Sequence, residues 1–154
     1  GHDAGDILLR EAAQRIKNCV RESDTVARLG GDEYTVLLLD IADISDIERI
    51  AANILKTLHD PFRLGEEAGY ISASIGITLY PNDATTVEDM LKNADQAMYV
   101  SKSQGRNQSS YYNAELQAGA QQRRLLINDL RQAVASKQFI LNFQPIIRLS
   151  TGQI

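Results

Sequence analysis

Two β-rich runs, Thr25-Val26-Ala27-Arg28-Leu29 and Tyr34-Thr35-Val36-Leu37-Leu38-Leu39, stand on either side of Gly30-Gly31-Asp32. Apolar and β-branched side chains suit a pleated surface, and consecutive glycines reach the positive φ values of a tight turn. The spacing therefore predicts a β-hairpin. The second run is apolar on both faces, which predicts a central strand. The remaining elements decide what this hairpin packs against.

Helices and strands interleave along the rest of the chain. Asp6 can cap a helix that follows it, with Leu8, Leu9, Ala12, Ala13, Ile16, Cys19 and Val20 at helical spacing. Asp43 or Ser45 starts a second helix, whose inward stripe is Ile44, Ile47, Ile50, Ala51, Ile54, Leu55 and Leu58. Pro61 follows its end. Phe62-Arg63-Leu64 reads as a short strand and residues 65–69 as a turn. Residues 70–80 are β-rich, with Gly76 at a bulge or a close backbone approach. Thr85 or Thr86 caps a third helix, with Glu88 or Asp89 in its first turn. Its inward stripe is Val87, Met90, Leu91, Ala94, Ala97 and Met98, and it ends near Gly105. Residues 109–112 form a strand, and residues 114–137 a helix with a polar, Gln-rich start (Gln117, Gln121, Gln122). Phe139-Ile140-Leu141-Asn142-Phe143 is a further strand. The class is α/β or α+β, with a largely antiparallel sheet because of the hairpins.

The 154 residues suffice for one domain with a real core. Apolar content of 44% and charged content of 23% fit a soluble globular protein. A net charge of −4 disfavours a nucleic-acid polymer as partner, because phosphate backbones need a basic face. It leaves room for a single nucleotide whose charge a bound metal offsets. The one cysteine, Cys19, permits no internal disulfide and reads as a small core residue. No apolar run approaches the ~18 residues of a membrane span. Nor does the opening GHDAGD resemble a signal peptide. A cytoplasmic setting is expected. Both chain ends read as cuts through structure, so a fragment is expected too.

The chemistry centres on the turn. Two glycines let a ligand approach the main chain, and the carboxylates of Asp32 and Glu33 follow at once. Hard divalent cations take oxygen ligands, and Mg²⁺ is usually held by one or two carboxylates plus substrate phosphates. Taken alone, the four residues read better as a solvated hairpin turn. Upstream, Arg21 and Asp24 stand three apart. An Arg offers a planar fork of donors suited to a guanine edge or a phosphate, and an Asp accepts from guanine's N–H groups. By themselves they read as a weak surface ion pair.

In combination, Arg21-x-x-Asp24, a five-residue gap and Gly30-Gly31-Asp32-Glu33-Tyr34 resemble the inhibitory site and active-site turn of GGDEF domains. These domains join two GTP molecules into cyclic di-GMP. Further segments match in order. Gly1-His2-Asp3-Ala4-Gly5-Asp6 resembles the family's Gly-His-x-x-Gly-Asp, and Ser72 to Ile77 its Ser-x-Gly strand. Ala94-Asp95-Gln96-Ala97-Met98-Tyr99, with Lys102 and Gly105-Arg106-Asn107, resembles its Ala-Asp-x-Ala-x-Tyr…Lys…Gly-Arg-Asn segment. Tyr34 departs from the pattern, where Phe is usual.

The resemblance implies an α+β fold, an α/β sandwich of nucleotidyl-cyclase type. Its mostly antiparallel central sheet is flanked by helices and lacks its first strand, with a C-terminal linker helix and strand beyond. It implies nucleotidyl transfer with Mg²⁺ or Mn²⁺. Asp32 is then a metal ligand, and Glu33 assists the metal or the attacking hydroxyl. Gly30 and Gly31 make room for GTP, Asp6 binds the base, and Lys102 and Arg106 neutralise the triphosphate. Helical spacing puts Lys102 and Arg106 on one face if the helix persists that far. Arg21 and Asp24 are the product-inhibition site for cyclic di-GMP. Two domains must meet, so a homodimer is implied.

The end of the chain, from Leu130 onward, carries a second resemblance. Leu130-Arg131-Gln132-Ala133, Phe139 to Ile146 and Thr151-Gly152 are similar to the opening of an EAL-type cyclic di-GMP phosphodiesterase, whose first strand carries Gln144 as a ligand contact. The expected organisation is a partial GGDEF domain at 1–113, a linker helix at 114–137 and the start of an EAL domain at 138–154. The family's first strand, with its metal Asp, and an Asn that reads guanine are not in this sequence. The 154 residues alone are therefore expected to be inactive, or nearly so. The competing readings are a GTP- or cyclic di-GMP-sensing domain that regulates a downstream phosphodiesterase, and a related cyclase making a purine cyclic mononucleotide. The intact turn disfavours the first and the Arg21/Asp24 pair the second.

Overall fold

The computed structural model describes residues 2–65, 67–114, 126–127, 129–140, 142 and 150. It divides into two compact units, Gly1–Gln117 and Ala118–Ile154.

The first unit opens with helix α1 (His2–Lys17), followed by strands β1 (Thr25–Gly30) and β2 (Glu33–Leu37). Helix α2 (Ile44–His59) then leads to β3 (Phe62–Leu64), β4 (Glu67–Gly69) and β5 (Ser74–Ile77). Helix α3 (Val87–Ser103) and β6 (Gln108–Tyr111) complete it. The expected hairpin is β1–β2, antiparallel, with Thr25 opposite Leu37 and Gly30 opposite Glu33. β3 pairs antiparallel with β4, and β5 pairs parallel with β6 across α3. The class is mixed α and β, as expected. Among the described residues the sheet is divided into three two-stranded parts. β2 pairs with β1 alone, and Leu37 and Leu39 are nearly half exposed, so β2 is not the central strand that its apolar run predicts. Residues 67–69, expected in a turn, pair with β3 because the chain reverses at Gly65.

Local chemistry sets the helix ends. Asp43 caps α2, its side chain accepting from the Ser45 N–H at 2.8 Å. Thr86 caps α3 by accepting from Asp89 N–H at 3.1 Å, while its hydroxyl donates to the Asp89 carboxylate at 2.9 Å. α1 differs from expectation: it starts at His2, so Asp6 lies inside the helix and does not cap it.

The core is built where α1 and α2 face β3: Ala12, Ile16, Ile50, Ile54, Leu58 and Phe62 are buried together. Arg15 fastens this junction. Its guanidinium donates to the carbonyls of Thr57 (2.7 Å), Asp60 (2.8 Å) and Pro61 (2.7 Å) and to the Glu11 carboxylate (2.6 Å). It also lies 3.8 Å from the centroid of the Phe62 ring. Carbonyls at a helix C-terminus have no intrahelical partner, and a cation there also opposes the negative end of the dipole. Replacing Arg15 with Ala strands these acceptors, and we expect a loss of about 2–3 kcal/mol in urea unfolding. Arg15→Lys should recover only part, because an ammonium lacks the planar fork.

α3 follows its predicted stripe only in part: Ala97 is buried, and Met90, Ala94 and Met98 are half-buried, as expected. Val87 and Leu91 are exposed, while Asn93, Ala97, Val100 and Ser101 are buried. Small side chains face the strands because α3 lies unusually close to β5. In the second unit, residues 129–135 are helical. The helix ends with Lys137 at φ +53°, Gln138 N–H bonding Ala133 O at 2.9 Å and Lys137 N–H bonding Val134 O at 3.1 Å. This is a left-handed C-terminal cap in which two free carbonyls find donors. Phe139 and Ile140, expected in a strand, are unpaired and exposed; a strand needs a partner, and the described residues offer none. The Gln-rich start at 117–122, Leu141, Phe143 and Gln144 lie outside the described residues. Among the described residues, no helix is long and apolar enough to cross a membrane.

Candidate functional site

The register of the hairpin decides what the turn presents. Gly30 opposite Glu33 leaves Gly31 and Asp32 as a two-residue loop. Gly31 has φ +50°, a left-handed value at which a Cβ is strained. A positive φ at the first loop position matches the right-handed twist of the flanking strands. The turn is held by Arg28, whose Nε donates to the Gly31 carbonyl at 2.8 Å. Asp32 and Glu33 are exposed at the tip. No atom lies within 4 Å of where a Cβ on Gly30 or Gly31 would stand, so the main chain here is open to a ligand.

The turn adjoins a cleft of about 290 Å³ between α1 and the hairpin, lined by Asp6, Leu9, Arg10, Ala13, Val26, Arg28 and Tyr34. The fold thus brings Asp6 to the same cleft as the two residues that flank the turn. Across its floor the Tyr34 hydroxyl donates to the Leu9 carbonyl at 2.7 Å. Burial raises the Tyr34 phenol above its usual 10.0; the Arg28 charge opposes this and the Asp32 charge adds to it. The phenol therefore keeps its proton through neutral pH. Sequence reasoning assigned no role to Arg28 and marked Tyr34 only as a departure from the usual Phe. Their opposition across the hairpin, at the pair just before the one that closes the turn, was the available signal.

Lys102 and Arg106 are both exposed, but not on one helical face. α3 stops at Ser103, and Arg106 and Asn107 have φ of +62° and +49°. The Arg106 N–H bonds back to Ser101 O at 3.1 Å, so the chain unwinds before β6 and i, i+4 spacing no longer applies. Neither residue lines the cleft at α1.

Arg21 and Asp24 share a turn. Arg21 is exposed; Asp24 is 4% exposed. The Asp24 carboxylate accepts from Arg21 N–H at 2.9 Å and Leu39 N–H at 3.2 Å. The two side chains are therefore not a surface ion pair: Asp24 ties the turn after α1 to the residue beyond β2, and the Arg21 side chain is left free to face solvent.

Asp32 and Glu33 give two hard oxygen donors at successive positions of the tip. Among the described residues no third His, Cys, Asp or Glu joins them in a cluster. Two exposed carboxylates fit part of a Mg²⁺ or Mn²⁺ shell, the kind completed by substrate phosphates and water.

Comparison with known proteins agrees with this geometry. Residues 1–108 match the family model for the diguanylate cyclase GGDEF domain. The chain is 43% identical over 152 residues to the bifunctional diguanylate cyclase/cyclic di-GMP phosphodiesterase MucR of Pseudomonas aeruginosa, covering 99% of this chain and 22% of MucR. It is 36% identical over 154 residues to the cyclic di-GMP phosphodiesterase NbdA of the same organism, covering all of this chain and 20% of NbdA. The chain thus spans about a fifth of the length of these relatives. The crystal structure of the GGDEF domain of YfiN (TpbB) from P. aeruginosa superposes with a TM-score of 0.70 at 46% identity, over 73% of this chain and 71% of that one. The hairpin, the cleft and these matches together establish that the chain belongs to the diguanylate cyclase GGDEF domain family.

Proposed function

We propose that this chain is the greater part of a diguanylate cyclase module within a longer cyclic di-GMP signalling protein. The observation that carries the reading is the intact Gly30-Gly31-Asp32-Glu33 tip, with both carboxylates presented beside the cleft that holds Asp6. In the reaction, the 3′-oxygen of one GTP bonds to the α-phosphorus of a second, the α–β phosphoanhydride breaks and pyrophosphate leaves. A second such transfer closes the ring. Negative charge grows on the phosphoryl oxygens, so fixed positive charge does most of the work. Asp32 and Glu33 would hold Mg²⁺ or Mn²⁺, which supplies that charge when bound. Asp6 accepts from the guanine base, and Gly30 and Gly31 admit the nucleotide. Glu33 assists the attacking hydroxyl, and Lys102 and Arg106 neutralise the triphosphate from the corner between α3 and β6. Each module carries one GTP, so turnover uses a homodimer.

Arg21 is the exposed donor of a product-inhibition site for cyclic di-GMP, on a turn held by Asp24. Residues 138–154, including Gln144, begin an EAL-type phosphodiesterase domain. The match to MucR supports this because it runs past residue 108, and that relative is named for both activities. A second reading is a domain that binds GTP or cyclic di-GMP without turning it over and regulates such a phosphodiesterase. The match to NbdA, named only as a phosphodiesterase, favours it.

Labelled GTP with Mg²⁺ separates the readings. The complete natural protein should form cyclic di-GMP, with inhibition by added product that Arg21→Ala relieves. The 154-residue chain alone should form little. GTP binding without product would favour the sensor reading, unrelieved inhibition would remove the role of Arg21, and robust synthesis by the chain alone would refute its predicted inactivity.

A further inference from the structure

Tyr34 stands where the GGDEF pattern usually has Phe, and the extra oxygen has a partner. Its hydroxyl reaches 2.7 Å to the carbonyl of Leu9, in the middle of α1. A helical carbonyl has a second lone pair free after its intrahelical bond, so this bond costs the helix nothing. Among the described residues it is the one side-chain hydrogen bond from a strand of the hairpin to α1. Its two ends are close to the chemistry. Leu9 is three residues, one helical turn, beyond Asp6. Tyr34 is next to Glu33 and two residues from Asp32, and it pairs with Arg28, which holds the turn. All four of Asp6, Leu9, Arg28 and Tyr34 line one cleft.

We propose that Tyr34 is a positioning residue: its hydroxyl, by holding the Leu9 carbonyl, fixes the distance between the helix bearing Asp6 and the hairpin bearing Asp32 and Glu33, and so sets the fit of a guanine nucleotide. The proposal rests on the cyclase reading for the identity of the ligand. The ring itself packs against the core that α1 and α2 share. Packing fixes how deep the ring sits, whereas the directional bond fixes where along α1 the hairpin docks.

Tyr34→Phe removes one oxygen and leaves the ring, and phenylalanine is the family's usual residue, so the variant should fold. In the complete natural protein, amide exchange in residues 6–13 and 28–34 should quicken about three- to tenfold, the worth of one net hydrogen bond, with α3 unchanged. The KM for GTP should rise by a similar factor, about three- to tenfold, while kcat stays within about twofold. A purely structural bond would speed exchange without this split. Unchanged KM, or faster exchange spread equally into α3, overturns the role of Tyr34. A wild-type protein that makes no cyclic di-GMP overturns instead the reading on which the ligand's identity rests.

Discussion

Gly76→Ala should cost this domain about 3 kcal/mol or more, out of the ~5–15 kcal/mol that hold a typical domain together. Gly76 lies in β5 between Ile75 and Ile77, opposite Ser110 of β6. A Cβ built on it would overlap the Ala94 carbonyl oxygen and the Met98 amide nitrogen, and would stand 3.0 Å from the Ala94 carbonyl carbon. These are backbone atoms of α3 and cannot rotate away as a side-chain tip can. The helix would have to lift off the strand. Lifting it breaks the bond from the Ser101 hydroxyl to the Ile75 carbonyl (2.9 Å) and its contact with the Ser110 hydroxyl (2.8 Å). It also uncovers Ala97 and Ser101, both fully buried. The expected result is a urea midpoint far below wild type, or a chain that does not fold. A thermal midpoint within a degree or two of wild type would show that α3 can move at little cost, contrary to this account.

The same contact explains what the sequence could and could not disclose. Gly76 is open to two readings on paper, a bulge or a close approach, and only the helix above it decides for the second. Hydrophobic periodicity picks Val87 and Leu91 as inward residues of α3, yet both face out, because the helix is docked by its small residues instead. The caps of α2 and α3 were legible because they are local: Asp43 and Thr86 act within three residues of themselves. The two-residue turn was legible for the same reason. Arg15 was not, since its carbonyl acceptors lie 42 to 46 residues away in sequence. At the candidate site the residue types and their order could be read directly, as at Gly30 to Glu33. Their three-dimensional relations could not. Asp24 turned inward onto the Leu39 amide, Arg106 fell beyond the end of its helix, and Tyr34 found Leu9, each through a partner that spacing does not reveal.

Asp32→Asn tests the chemistry without touching the fold. Asp32 is exposed at the second loop position, where the side chain carries no packing. An exposed, near-isosteric change away from any cap or core should move stability by no more than about 0.5 kcal/mol. What it removes is a full negative charge next to Glu33. If that charge holds a divalent cation against the phosphates, turnover in the complete natural protein should fall by about a hundredfold or more, the scale seen when one group that stabilises transition-state charge is lost. The loss should appear in kcat, and residual activity should need more Mg²⁺. An internal reporter shows whether the charge itself has gone. Burial is the main reason the Tyr34 phenol titrates above 10.0, but the Asp32 carboxylate adds to the shift while Arg28 subtracts. Neutralising Asp32 should therefore move the Tyr34 titration downward in alkaline absorbance measurements. Wild-type turnover combined with that downward shift would mean that the charge is gone and was not needed, and Asp32 would lose its place as a metal ligand. Lost turnover with the shift and an unchanged urea midpoint would leave metal holding as the role of this carboxylate.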